Sequence, residues 1–258
     1  MAKEGSCVIT HTALADHSTR AEIASGYGVP EGKGGQVDYI EIGVYTVATT
    51  TVVQGGLFEF ENDAIDWKPL EFYAPLERIL GTGGHGQKPL RIPVKKFLPS
   101  GSTIHVYFTA LAAAGTTWAY ARVHWKIGAG RPSSQTYADA AVGAALTQVT
   151  EAKNHVTFTI PAEKGGLAVA LYTLIHDTPE TIVAAGGKVT LRNTSADWTP
   201  TEFFVITSTG ITTIGDYEMP HVIPLDHELP SRSIAYADYL PHDDNSQYLM
   251  LSLVWEGK

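Results

Sequence analysis

The chain has 258 residues, 44% of them apolar and 17% charged, a balance that excludes a disordered polymer and allows packed cores. Its net charge of −9 comes with no basic cluster, which argues against a nucleic-acid binder, because neutralising phosphates takes a face of Lys and Arg. A single cysteine, Cys7, excludes an intrachain disulfide, and no run reaches the roughly 18 apolar residues of a membrane-spanning helix.

Residues 1–18, MAKEGSCVITHTALADHS, lack a basic region followed by an apolar run, so the sequence predicts a soluble protein not exported by a cleaved signal. They are expected to form an N-terminal arm outside any folded core, with Cys7 in a loose segment. From there, strands are predicted at 21–29, 37–46, 57–61, 70–74, 90–97, 103–110 and 118–126, runs mostly rich in β-branched and aromatic residues. The stretch 102–108, STIHVYF, alternates, with Ile104, Val106 and Phe108 on one face. Between the runs lie PEGKGG, QGG, NDAIDWKP, GTGGHGQKP and LPSG, which supply the Gly, Pro, Asn and Asp of tight connections. Seven or eight short strands in about 110 residues describe a β-sandwich. Residues 129–148 read as a linker, and the alanine-rich stretch 133–148 within it is the best helix candidate, weakened by Gly143.

Beyond the linker the first pattern is written again. A shift of 131 places Gly55, Gly56, Asn62, Asp66, Trp67, Pro69, Glu71 and Phe72 on Gly186, Gly187, Asn193, Asp197, Trp198, Pro200, Glu202 and Phe203. These are eight identities in nineteen positions, where unrelated sequences give about one. The same shift carries Pro30 and Lys33-Gly34-Gly35 onto Pro161 and Lys164-Gly165-Gly166, and IPVKKFLPSGS at 92–102 onto IPLDHELPSRS at 223–233. Trp125 meets Trp255 at a shift of 130, so one residue is lost late in the second copy. The sequence therefore predicts an all-β chain of two tandem, internally duplicated β-sandwich domains, 19–128 and 149–258. Their surfaces have diverged: 18–128 carries ten basic and ten acidic side chains, 149–258 six and fourteen.

Chemistry is sparse. Asp66, Trp67 and Glu71 could form an aromatic platform with two carboxylates, but residues kept in both copies of a duplicated pair point to structure. Ten histidines include no H-x-H or H-E-x-x-H. The densest group, His221, Asp226, His227 and Glu228, puts its histidines on Leu90 and Lys96 of the first copy, which are not ligands. The stretch 241–245, PHDDN, reads as a solvated acidic turn rather than a cation loop, and GTGGHG at 81–86 lacks the Lys-Ser/Thr of a phosphate loop. No nucleophile elbow is present, and the H-x-H and glutamate of a two-domain cupin are missing from both halves. No catalytic, cofactor-binding or metal-ligating residue is assigned, and no enzymatic activity or cofactor is expected.

Two successive sandwiches of about eight strands without a catalytic constellation resemble the double jelly-roll major capsid proteins of icosahedral DNA viruses. The resemblance covers nearly the whole chain and rests on architecture. The chain departs from that family in its small size and in the strength of its internal identity. The resemblance implies a homotrimer whose six sandwiches form a pseudo-hexameric capsomer, assembled in the host cytoplasm into a virion alongside other virion proteins, with no direct nucleic-acid contact and no membrane span. Residues 1–18 would then reach towards a neighbour or an inner membrane. The rival expectation is a tandem β-sandwich module for carbohydrate binding or adhesion.

Overall fold

The computed structural model describes residues 3–10, 19–46, 56–74, 76–78, 89–110, 117–146, 149–178, 185–198, 201–207, 221–242 and 246–257. The chain divides into two compact units, 1–137 and 138–258. The first contains β1 (Lys3–Thr10), β2 (Ala21–Glu22), β3 (Tyr27–Gly28), β4 (Gly35–Thr46), β5 (Gly56–Asn62), β6 (Glu71–Ala74), β7 (Leu76–Arg78), β8 (Leu90–Leu98), β9 (Thr103–Ala110) and β10 (Thr117–Ile127). After it come β11 (Gln135–Val142), in which the boundary falls, β12 (Ala152–Thr159), β13 (Gly166–Thr178), β14 (Ala185–Asn193), β15 (Glu202–Thr207), β16 (His221–Leu229), β17 (Ile234–Pro241) and β18 (Ser246–Gly257). No helix occurs among the described residues.

In unit 1 one sheet runs β1-β10-β4, with β8 antiparallel to β4 along 35–42 and the short β7 parallel to it at 44–46. The other runs from β2 and β3, which share β9, through β5 to β6. Unit 2 repeats both orders as β11-β18-β13-β16 and β12-β17-β14-β15. Each pair of sheets interleaves strands distant in sequence, the pairing order of a jelly roll. The core comes from strict alternation. On β9 Ile104, Val106 and Phe108 are fully buried, and on β4 so are Val37, Ile40, Ile42 and Val44. The alternation breaks at a bulge between Val37 and Tyr39, repeated between Ala168 and Ala170 of β13 at the same shift of 131.

Three expectations are corrected. Residues 3–10 are not an arm: β1 lies along the whole of β10, Lys3 opposite Ile127 and Thr10 opposite Tyr120, with Cys7 and Ile9 buried. Residues 11–18 of the expected arm lie outside the described residues. The helix expected in the linker does not form either: 129–134 cross without regular structure, and 135–142 form β11 beside β18. Alanine propensity, worth a few tenths of a kcal/mol per residue, yields there to a row of ladder hydrogen bonds that continues with Gly143 N–H on the Leu249 carbonyl at 2.9 Å. The sandwich strands thus begin at 3 and 135, not at 19 and 149. Finally, the predicted strand 21–29 is split into β2 and β3 by Ala24 at φ 56° and Gly26 at φ 77°, left-handed backbone that no ladder accommodates.

Candidate functional site

The duplicated motif has the geometry of a fastener. Asn62 closes the turn after β5: its Oδ1 accepts from Ala64 N–H and Ile65 N–H at 3.0 and 3.2 Å, while its Nδ2 donates to Ser102 Oγ at 2.9 Å. Asn193 does the same with Ser195, Ala196 and Ser233 at 2.8, 3.0 and 3.0 Å. Trp67 then turns inward, 1% exposed, and its indole N–H donates to the Phe97 carbonyl at 2.9 Å. Trp198, 3% exposed, reaches the Glu228 carbonyl at 2.8 Å. Each bond closes one sandwich end, and each has its partner 131 residues on.

The second tryptophan pair explains the repeated Lys-Gly-Gly. Trp125 donates to the Lys33 carbonyl at 2.7 Å and Trp255 to the Lys164 carbonyl at 2.5 Å. Next to those carbonyls a Cβ at Gly35 or Gly166 would fall on the carbonyl oxygen of Lys126 or Glu256. The aromatic-platform reading of Asp66, Trp67 and Glu71 is therefore overturned by burial: the ring has no face left for a ligand.

The other sequence candidates do not converge. On β16, Asp226 and Glu228 are exposed while His227 points to the opposite face, stacked on Trp198 at 5.3 Å with its Nε2 3.0 Å from Thr201 Oγ1. The side chain of His221, the stretch 81–86 and residues 243–245 lie outside the described residues. Among the described residues no three His, Cys, Asp or Glu side chains gather. Cys7 is buried in β1, and burial pushes its thiol up to about 11.

Sequence reading missed two charged features. On β17, Asp238 is 1% exposed; burial alone would raise its carboxyl, but Arg192, the Asn154 N–H and Lys153 together hold it below the usual carboxylate range. Arg192 binds it through Nε at 2.9 Å and Nη2 at 2.7 Å, Lys153 at 3.2 Å. The shift of 131 turns Lys153, Arg192 and Asp238 into Glu22, Glu61 and Tyr107. There the polarity is reversed: Arg20 lies 3.4 Å from the centre of the Tyr107 ring and pairs with Glu59 and Glu61. The second feature is Lys96, fully buried on β8, whose ammonium lies 3.7 Å from the centre of the Tyr137 ring. Burial and the nearby Asp66 push the Tyr137 phenol up. A buried lysine on an alternating strand and a tyrosine in a supposed linker carry no sequence signal of their meeting.

No protein-family model matches the chain, and no curated protein matches it. Among solved structures it is similar to the STIV MCP, at 10% identity and a TM-score of 0.47 over 98% of this chain and 96% of that chain. It is also similar to the major capsid protein P2 from bacteriophage PM2, at 10% identity and 0.39 over 99% and 97%. A third is PNGase F, a glycosylasparaginase from Flavobacterium meningosepticum, at 9% and 0.39 over 98% and 96%. A capsid protein and an enzyme thus stand at the same TM-score, and the likeness does not select between a building block and a catalyst. What the residues themselves establish is an all-β chain of two tandem jelly-roll sandwiches fastened by one duplicated set of bonds.

Proposed function

We propose that the protein is a structural virion subunit, a double jelly-roll major capsid protein whose copies trimerise into pseudo-hexameric capsomers and tile a shell. The observation that carries this reading is a framework held constant while its surface charge was exchanged. Trp67 and Trp198 make the same bond, but Glu22, Glu61 and Tyr107 stand in one unit where Lys153, Arg192 and Asp238 stand in the other. Two sandwiches of one shape with different surfaces suit a subunit that meets two different neighbourhoods. In this reading the chain works without cofactor or catalysis, through self-association and contact with other virion proteins.

The binding-module reading loses its best-placed aromatic surface, since both motif tryptophans are inside. Negative-stain microscopy with mass measurement of the purified protein is the test. A trimer, or particles built of trimers, is expected; a monomer at micromolar concentration across salt and pH, with no larger particles in the native source, overturns the shell reading.

A further inference from the structure

In unit 1 the inward side chains of the outer strands β6 and β8 are sealed: Phe72, Ile92, Val94 and Lys96 are between 0% and 1% exposed. The stretch 131–137 lies against β8 at Lys95, Lys96 and Phe97. The Lys95 N–H donates to Thr136 Oγ1 at 2.8 Å, the Tyr137 ring lies on Lys96, and the Arg131 guanidinium stands 5.1 Å from the centre of the Phe97 ring. The shift of 131 takes the four sealed residues to Phe203, Ile223, Leu225 and His227 on β15 and β16 of unit 2. All four are only half-buried, and Val222 beside them is 44% exposed. The two edges are near-equivalent in composition, Phe for Phe, Ile for Ile, Leu for Val. The two edges differ in how far they are buried.

We infer that the β15/β16 edge of unit 2 is a docking surface for a second copy of this chain, whose β1 lies across it as Thr136 and Tyr137 lie across β8. The inference rests on the shell-subunit reading and specifies how the copies meet. Two observations choose this occupant. The same shift places Gly5 and Ser6 at the positions of Thr136 and Tyr137, and the outward face of β1 is open to solvent, with Glu4 and Ser6 exposed and Val8 60% exposed. Charge argues against a second unit 2 as the donor: 149–258 holds fourteen acidic against six basic side chains. A unit 2 edge pressed on another unit 2 sets like charge against like, whereas β1 carries one lysine and one glutamate, Lys3 and Glu4. Each copy therefore offers β1 and accepts at β15/β16, a heterologous contact of the kind that closes into rings.

Disulfide trapping in the full-length protein tests this. Two variants, Ser6→Cys and His227→Cys, one carrying a mass tag, are mixed and oxidised; Cys7 is buried and does not interfere. A mixed, disulfide-linked dimer is expected, with at most traces from either variant alone. A His227→Cys homodimer overturns the head-to-tail contact, and so does an oligomer of native mass with no mixed dimer; that second outcome leaves the shell reading standing. A closed ring that traps the mixed dimer but never forms particles supports the contact and sinks the shell. As a second arm, Leu225→Asp should reduce the mass to that of a monomer at micromolar concentration while the circular dichroism spectrum is kept. A folded variant of unchanged mass overturns the inference.

Discussion

Trp67 shows what an identity between two copies means physically. An indole held by one carbonyl and buried to 1% fills a volume no smaller side chain can fill, so the copies could diverge around it but not at it. Trp67→Ala and Trp198→Ala should each cost about 3–5 kcal/mol, read as a drop in the denaturation midpoint; an unchanged midpoint would place the rings at the surface. Cys7, whose thiol is pushed up to about 11, should resist a disulfide reagent at neutral pH until the protein is unfolded. Asp139 has a pH signature. Burial pushes its carboxyl up to about 6, against backbone hydrogen bonds from Thr159 and Ala140 that pull it down. Between its ordinary value and about 6 the folded state binds the extra proton, so stability falls as pH rises through that window and stays lowered above it. Asp139→Asn should flatten this slope and stabilise the protein at neutral pH by about 1–2 kcal/mol, measured as denaturation midpoints at several pH values. Asp238 acts with the opposite sign: its lowered carboxyl contributes stability that is lost as pH falls through its folded value.

Strands β4, β5, β6, β8, β9 and β10 were legible because each carries its own evidence, a run of mostly β-branched and aromatic residues bounded by turn-forming residues, with a clear alternation on β9. β1 and β11 were not. KEGSCVIT and SQTYADAA share no identity at the shift of 131 and alternate poorly, because each is held by the exposed flank of β10 or β18 rather than by its own pattern. Tertiary pairing decided there, and it overrode alanine's helix preference at 138–141. The Lys-Gly-Gly turns were legible as repeats, though only the structure gives the reason, a backbone approach that leaves no room for a Cβ. Gly166→Ala should therefore force β13 away from β18 and destabilise unit 2, whereas Gly130→Ala, with open space around it, should be neutral; equal midpoints for the two would contradict the crowding.

At the scale of the molecule, the duplication was the most legible property and the function the least, because a docking surface is written in what covers it, and coverage has no periodicity. Phe72 and Phe203 read identically in sequence and differ only in burial. A contact centred on Phe203, Ile223 and Leu225 is apolar, so light scattering should report the same assembled mass from about 0.05 to 0.5 M salt, a range that shortens the Debye length several-fold. Dissociation as salt rises would mean that charge pairs hold the copies together instead. The pairing of β1 with β10 also sets an order in time. Lys3 waits for Ile127 before its ladder can close, and Gly166 for Gly257, so each sandwich is finished by its last strand. Such distant pairings fold slowly. During synthesis, however, residue 127 emerges before the second sandwich has been made, and domains generally fold as units in that order. The first copy can then be complete before its near-duplicate exists to compete for β1, which protects two similar sandwiches on one chain from exchanging strands.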